Sequence, residues 1–378
     1  MRILVVTSED WFVLSHFRPL LAQLTLLTED VVVVARSSGR LHEIGQLGVR
    51  TRSFDMRRGS LNVALLRNAR DGLARIIDEE RPDVVHAIAM QTMVMTSVAL
   101  AKAQHRPSTV IMHLVGLGYL GYSRSPIAHI LRPLAFAAIR RSVLKYNTWL
   151  LAENTDDLNK MVAHGAAAPG RTAIVPGAGV DPELLPELSA PSNAIPRVAF
   201  VGRMVFSKGL EILVKAHQHL LQRGLVLELR LFGAADRSSR DAIPEGSLSS
   251  WSSLPHIKWL GRTDDVVSVW READIAVLPS LVGEGMPRSM LEAGSCGRPL
   301  VVSDVSGCRD FVRDGVEGLL ARPNDSTALG HALGHLAVDA RLRLKLGAAA
   351  RRRVLEQFSD HRVRNRIRET YEVALAGR

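Results

Sequence analysis

Short apolar, β-branched runs alternate with longer stretches of helical periodicity along the first half of the chain. Residues 3–7, 31–35, 84–87, 110–113 and 149–152 read as strands, and stretches such as 61–80 between them read as helices. Arg81-Pro82 ends the helix at 61–80, because the residue before a proline is pushed out of the helical region. The alternation predicts a parallel sheet covered on both faces. Residues 176–196 break it with five prolines among glycines and serines, as an interdomain linker would. Strand-like runs then resume at 198–201, 227–232, 257–260, 275–278 and 300–302, with a helix at 209–222. The fold class is α/β: two consecutive doubly wound, Rossmann-like parallel-sheet domains, 1–180 and 181–359. A last helical stretch at about 360–378 could pack back on the first domain. In such sheets ligands sit at the carboxyl ends of the strands.

A length of 378 residues agrees with two domains, and 47% hydrophobic residues supply both cores. Cys296 and Cys308 argue against a disulfide scaffold, lack metal-ligand spacing, and read as small buried residues. Met1-Arg2-Ile3-Leu4-Val5-Val6-Thr7 is too short an apolar run for a signal peptide. No uninterrupted apolar run reaches the ~18 residues of a spanning helix, so a reduced, cytoplasmic setting is expected. The net charge of +10 implies an affinity for something anionic: nucleic acid, anionic lipid or a nucleotide phosphate. It could equally be solvated helix surface, as at Arg351-Arg352-Arg353 in what reads as an amphipathic terminal helix. Nucleic-acid binding has little support, with no recognition motif and 5% aromatic residues for stacking. A nicotinamide dehydrogenase has less, because the first strand runs into Thr7-Ser8-Glu9-Asp10 instead of a GxGxxG turn.

The densest candidate chemistry is Gly283-Glu284-Gly285-Met286-Pro287-Arg288-Ser289-Met290-Leu291-Glu292. It follows a strand and a Pro279-Ser280 turn, and Pro287 should open a helix. Free amides and the positive end of a helix dipole make such a place an anion site. Glutamates beside a phosphate would accept bonds from hydroxyls, so the pocket suits a ligand carrying both groups. The second domain begins Val201-Gly202-Arg203-Met204-Val205-Phe206-Ser207-Lys208-Gly209, where Arg203 and Lys208 precede a helix and would suit a diphosphate. The spacing is not that of a Walker loop.

These segments, with Ala273-Asp274-Ile275-Ala276-Val277-Leu278-Pro279-Ser280, Gly307-Cys308-Arg309-Asp310 and Asp314-Gly315-Val316-Glu317-Gly318-Leu319-Leu320, resemble the nucleotide-sugar-dependent glycosyltransferases of family 4, which have the GT-B fold. The resemblance covers most of the second domain. It implies two domains facing a central cleft, and retaining, metal-independent transfer from a nucleotide diphosphate sugar, with no cofactor beyond that co-substrate. Arg203 and Lys208 would hold the diphosphate and Glu292 the ribose. Glu284 would hold donor-sugar hydroxyls, with Gly202, Gly285, Met286 and Pro287 lining the sugar and phosphate. Charge growing on the leaving diphosphate would be met by fixed cations and a helix dipole. In the front-face route proposed for such enzymes, the donor phosphate takes the acceptor proton and no glutamate is the nucleophile. No Asp-x-Asp metal motif occurs; Asp264-Asp265 lacks that pattern.

In the first domain Ser15-His16-Phe17-Arg18-Pro19-Leu20, Arg81-Pro82-Asp83-Val84-Val85-His86 and Gly116-Leu117-Gly118-Tyr119 resemble a subgroup that extends undecaprenyl-diphosphate-linked oligosaccharides. That subgroup implies a uridine-linked donor, a UDP-N-acetylhexosamine or UDP-hexose, and a polyprenyl-diphosphate-linked glycan acceptor in cell-surface polysaccharide synthesis. A soluble enzyme with a small-molecule or sugar-phosphate acceptor stays open. His16, Arg18, His113 and Gly116 are the acceptor-side candidates; His16 could instead cap or pack the first helix, and His113 could be ordinary core. Asn154 and Asp157 read as structural. Glu9-Asp10-Trp11 replaces the glycine pair common after the first strand in the family. Residues about 126–146 interleave Arg132, Arg140, Arg141 and Lys145 with Leu131, Leu134, Phe136, Ile139 and Leu144. Such a basic amphipathic helix could rest on an anionic membrane surface, making the protein peripheral on the inner face of the cytoplasmic membrane, or it could be a core helix with solvated arginines.

Overall fold

A computed structural model of the protein describes residues 1–57, 62–122, 125–235, 239 and 241–376, with backbone alone at 119 and 120. The chain divides into two compact units: Met1–Gly179 with Asp360–Arg378, and Val180–Ser359.

The first unit holds β1 (Arg2–Glu9), β2 (Asp30–Arg36), β3 (Arg50–Ser53), β4 (Val84–Ile88), β5 (Thr109–Leu114), β6 (Asn147–Ala152) and β7 (Thr172–Ile174), all parallel, in the order β3-β2-β1-β4-β5-β6-β7. Successive side chains point to opposite faces, and both faces are covered, so the inner strands are mostly apolar, with His86 on β4 and His113 on β5 among the buried exceptions. Ile3, Val5, Val31, Val33 and Ile111 pack with Leu20, Leu21 and Leu24 of helix Arg18–Leu27 and with Val363, Ile367 and Tyr371 of helix Asp360–Ala376. Leu4, Val6, Val32, Val85 and Met112 pack on the other side with Leu73, Ile77, Met93, Phe136 and Ile139. The helix expected near the end of the chain therefore belongs to the core of the first unit. Each large apolar side chain it buries contributes about 1.5–3 kcal/mol. Edge strand β3 is charged: Arg50 reaches Asp30 at 2.8 Å and Glu80 at 2.9 Å, and Arg52 reaches Glu80 at 2.9 Å. Charge on an edge strand discourages pairing with another chain.

The helix expected at 61–80 spans Val63–Glu80. Asn62 caps it by accepting from the amides of Ala64 and Leu65, and Leu61 lies outside the described residues. Arg81, at φ 45°, closes it in the left-handed conformation.

The second unit holds β8 (Arg197–Val201), β9 (Glu228–Phe232), β10 (Ile257–Gly261), β11 (Ile275–Leu278), β12 (Leu300–Ser303) and β13 (Gly318–Ala321), parallel, in the order β10-β9-β8-β11-β12-β13. Phe200, Leu213, Trp270, Leu291 and Phe311 lie in its core. Strand order reverses between β8 and β11 here and between β1 and β4 in the first unit. Each reversal opens a crevice at the strands' carboxyl ends.

Arg351-Arg352-Arg353 does not lie in the terminal helix, and it is not simply solvated surface. It ends helix Ala340–Arg353 in the second unit. The Arg351 guanidinium donates to the carbonyls of Ser295 and Leu185, and Arg353 donates to the Asp310 carbonyl at 2.9 Å while facing Glu317 at 3.6 Å. Two of the three arginines tie loops together. Both cysteines are buried and free. Among the described residues no helix is long and apolar enough to cross a membrane.

Candidate active site

At the switch point of the second unit, the loop after β8 and the loop after β11 are fastened to each other. The β8 chain passes through Gly202, turns at Phe206–Lys208, and enters helix Leu210–Gln222 through Gly209 at φ 72°. A Cβ on Gly209 would strike the Pro279 carbonyl oxygen, so only glycine permits this approach. Beside it the Leu281 amide donates to the Ser207 carbonyl at 2.8 Å. This closeness brings Lys208 Nζ onto a carboxylate oxygen of Glu284, while the buried Ser280 hydroxyl donates to Glu284 Oε1. The side chains of Lys208 and Glu284 are 16% and 19% exposed, so their attraction acts in a medium less polarisable than water. A third loop braces the carboxylate: the Glu284 amide donates to the Ser306 carbonyl at 3.1 Å, and Gly307, at φ 80°, leaves room for the Gly285 carbonyl.

Gly285, Met286 and Pro287 are buried and lead into helix Arg288–Ser295. Pro287 occupies the N-cap, one residue before the helical position the sequence suggested. One turn in, Glu292 is 7% exposed and accepts from Arg288 Nε at 2.9 Å. Burial pushes the Glu292 carboxyl above the ordinary range, with Arg288 opposing. Arg203 lies exposed on the β8 loop, whose Gly202 amide donates to the Phe232 carbonyl at 3.0 Å. Arg203, Lys208, Glu284 and Glu292 thus all lie on segments leaving the β8–β11 switch point. Contact is established for Lys208 with Glu284. Ser280 and Arg288 carried no assignment from sequence, although the Pro279-Ser280 turn and the i,i+4 spacing of Arg288 and Glu292 were visible signals. Glu317 is structural: burial would raise its pKa, but Arg313, together with Arg353, holds it below the usual range.

The acceptor-side candidates lie in the first unit. His16 ends helix Asp10–His16, with Nδ1 2.7 Å from the Ser15 hydroxyl and its ring 4.9 Å from that of Phe12. Arg18 is exposed and donates to the Leu14 carbonyl at 3.0 Å. Gly116, at φ 104°, turns the chain after β5; the Leu117 amide then donates to Asp157 at 3.0 Å, where Asn154 also binds. The Tyr119 side chain lies outside the described residues. His113 on β5 is fully buried. Its Nδ1 is 3.3 Å from His86 Nε2, whose Nδ1 shares a 2.6 Å hydrogen bond with the Tyr371 hydroxyl. Burial pushes His113 down to about 4, and burial with His113 nearby holds His86 well below its ordinary value. His113 Nε2 has no partner among the described residues. Asp10 organises the loop after β2: burial alone would raise its pKa, yet bonds from Ser38, Arg40 and Trp11 hold it low. It stands in the Glu9-Asp10-Trp11 segment that departs from the family pattern. Among the described residues no cluster of three or more His, Cys, Asp or Glu is placed to hold a metal ion.

Comparison with known proteins decides the family. The pattern described as "Glycosyl transferase 4-like domain" matches residues 14–178, and that described as "Glycosyl transferases group 1" matches residues 195–339. The chain belongs to these glycosyltransferases. The glycosyltransferase is 23% identical, over 94% of its own length and 95% of the relative's, to the N,N'-diacetylbacillosaminyl-diphospho-undecaprenol alpha-1,3-N-acetylgalactosaminyltransferase of Campylobacter jejuni. It is 22% identical, over 90% and 88%, to the UDP-Gal:alpha-D-GlcNAc-diphosphoundecaprenol alpha-1,3-galactosyltransferase of Escherichia coli. Its fold matches HepE of Anabaena, solved in complex with UDP and glucose, at TM-score 0.77, 19% identity and 98% and 99% coverage. It also matches sucrose-phosphate synthase of Thermosynechococcus elongatus at TM-score 0.80, 18% identity and full coverage of both chains. These likenesses show the GT-B architecture.

Proposed function

We propose that the enzyme moves a sugar from a uridine diphosphate sugar, a UDP-N-acetylhexosamine or UDP-hexose, to a lipid-linked sugar acceptor in cell-surface polysaccharide synthesis, with retention and without a divalent metal. The observation that carries this reading is the Lys208–Glu284–Ser280 cluster at the β8–β11 switch point, one short loop from the start of helix Arg288–Ser295. In this reading the bond between the anomeric carbon and the diphosphate oxygen breaks, and negative charge collects on the leaving group. Lys208, already positioned by Glu284, meets that charge without reorganising, and Arg203 and the helix dipole add to it. Glu284 accepts from donor-sugar hydroxyls and Glu292 from the ribose. The acceptor oxygen bonds to the anomeric carbon on the same face, and its proton passes to the departing phosphate. The undecaprenyl-linked substrates in the names of both full-length relatives support the acceptor class. On helix Pro126–Lys145, Ile127, Ile130, Leu134 and Leu144 are exposed beside Arg140, Arg141 and Lys145, which supports docking on the inner face of the cytoplasmic membrane.

Thermal shift with UDP, GDP and ADP, with and without EDTA, tests the donor side. A shift confined to UDP that survives EDTA is expected; a shift with GDP or ADP moves the donor class, and loss on chelation removes metal independence. Sugar transfer that needs a lipid extract supports the acceptor, whereas transfer to a soluble sugar phosphate overturns it. Replacing Arg140 and Arg141 together by Glu should weaken sedimentation with anionic vesicles and leave the UDP shift intact.

A further inference from the structure

Helix Pro126–Lys145 carries an exposed row at Ile127, Ile130, Leu134, Ala137, Arg141 and Leu144. The steps are three, four, three, four and three residues, so the six positions form one stripe along the helix. Four large aliphatic residues in it are 47–74% exposed, and no described residue covers them. The one charged position, Arg141, lies beside a crevice of about 430 Å³. Helices Val63–Glu80 and Met90–Leu100 and residue Ala101 supply its other walls. Val98, Ala101, Ala137 and Ala138 line it together with Arg70 and Arg141. Arg70 is oriented by Asp71 at 2.7 Å, and Asp71 is also held by Lys102 at 2.8 Å. Arg140, Arg141 and Lys145 make no ion pair among the described residues.

We infer that this crevice is a binding subsite for the phosphodiester of an anionic bilayer phospholipid, seated while the aliphatic stripe enters the interfacial region. The inference rests on the membrane reading above and adds a discrete site to it. Small side chains keep the crevice open, and Arg141 brings to it a charge with no ion-pair partner among the described residues, beside Arg70, which Asp71, itself held by Lys102, keeps in place. A phosphodiester pairs with Arg141 and can also accept from the remaining donors of Arg70, while its acyl chains run along the stripe. An apolar partner helix, such as a second copy of this chain, would cover the stripe but bring no counter-charge for Arg141.

The test is flotation of the whole protein with acceptor-free vesicles of phosphatidylglycerol in phosphatidylcholine, against phosphatidylcholine alone. The absence of acceptor makes bulk phospholipid the only source of phosphate. Three variants are compared: Arg70→Gln with Arg141→Gln, Arg140→Gln with Lys145→Gln as the charge-matched control, and Ala138→Leu, which narrows the crevice at constant charge. The first pair should lose at least about threefold more binding than the control. The gap should persist near 1 M salt, where the Debye length is about 3 Å and only contact pairs survive. Ala138→Leu should lower phosphatidylglycerol binding several-fold, which diffuse attraction would not do. Equal losses in the two pairs, with no effect of Ala138→Leu, overturn the subsite and leave the membrane reading standing. No vesicle binding by the wild type removes both. A dimer in solution that Leu134→Asp dissociates assigns the stripe to a second copy and overturns the inference. Melting curves for each variant identify any loss that is only misfolding, and Arg141→Gln alone then replaces the Arg70 pair.

Discussion

The same doubly wound topology is finished in opposite ways in the two units. At the β8–β11 switch point the sheet ends in a partly exposed ion pair, Lys208 with Glu284, held by Ser280. Near the β1–β4 switch point it ends in a buried chain of polar rings, with His113 on neighbouring β5 next to His86 and His86 next to Tyr371. One end keeps charge and pre-orients it; the other has stripped charge from its imidazoles by burial. Topology locates a crevice, and the residues filling it decide whether it keeps paired charges or holds neutral groups in place.

The largest effect should come from the charged end. Lys208→Ala should lower kcat about 100- to 1000-fold, as loss of one preorganised charge-stabilising donor does, with a smaller change in donor affinity. Full turnover in that variant would break the contrast, because the ion pair would then be scaffold.

The neutral end should show itself in stability. Unfolded histidine takes a proton near pH 6.5, whereas folded His113 resists until about 4. Between those values the unfolded state binds more protons, so stability is full above about 6.5 and falls as the pH drops. The loss by pH 4 is about 3 kcal/mol for His113, and His86 adds to it in the same direction. Chemical denaturation across this range checks it; a flat profile would mean that the imidazoles titrate normally. Tyr371→Phe removes the partner of His86 Nδ1 and should cost about 1–3 kcal/mol in the unit containing β1, with UDP binding unchanged. The smallest effect expected is at Glu292→Ala, where calorimetry should show UDP binding weakened about tenfold, the worth of one charge-assisted bond.

The sequence was most legible where burial is two-sided. The inner strands β1, β2, β4, β5 and β6 announce themselves as apolar runs because both of their faces are covered. Strand β3, Arg-Thr-Arg-Ser, and the three-residue β7 carry no such run, since edge strands need not be apolar. Strand β13 holds only Leu319 and Leu320 between Gly318 and Ala321, too little to stand out. In the site, residues on the loops after β8 and β11 were legible because each loop leaves an apolar strand, carries glycines and charged residues, and opens a helix, where doubly wound sheets place ligands. The Lys208–Glu284 contact itself was not, since it depends on a glycine at 209 that admits a carbonyl. The His86–Tyr371 bond spans 285 residues and pairs a strand with a helix on the far side of another domain in the sequence. No local pattern encodes such a partner.

That placement of helix Asp360–Ala376 sets an order of assembly during synthesis. Residues 1–179 leave the ribosome before 180–359, yet the part of their core that Val363, Ile367 and Tyr371 complete, beside helix Arg18–Leu27, stays open until residues 360–376 emerge. Val180–Ser359, emerging between them, has all of its own strands and core in one stretch and can close while the earlier domain waits. Of the two units, the one begun first is therefore completed last, and during translation the open part of its core is the surface a chaperone would meet.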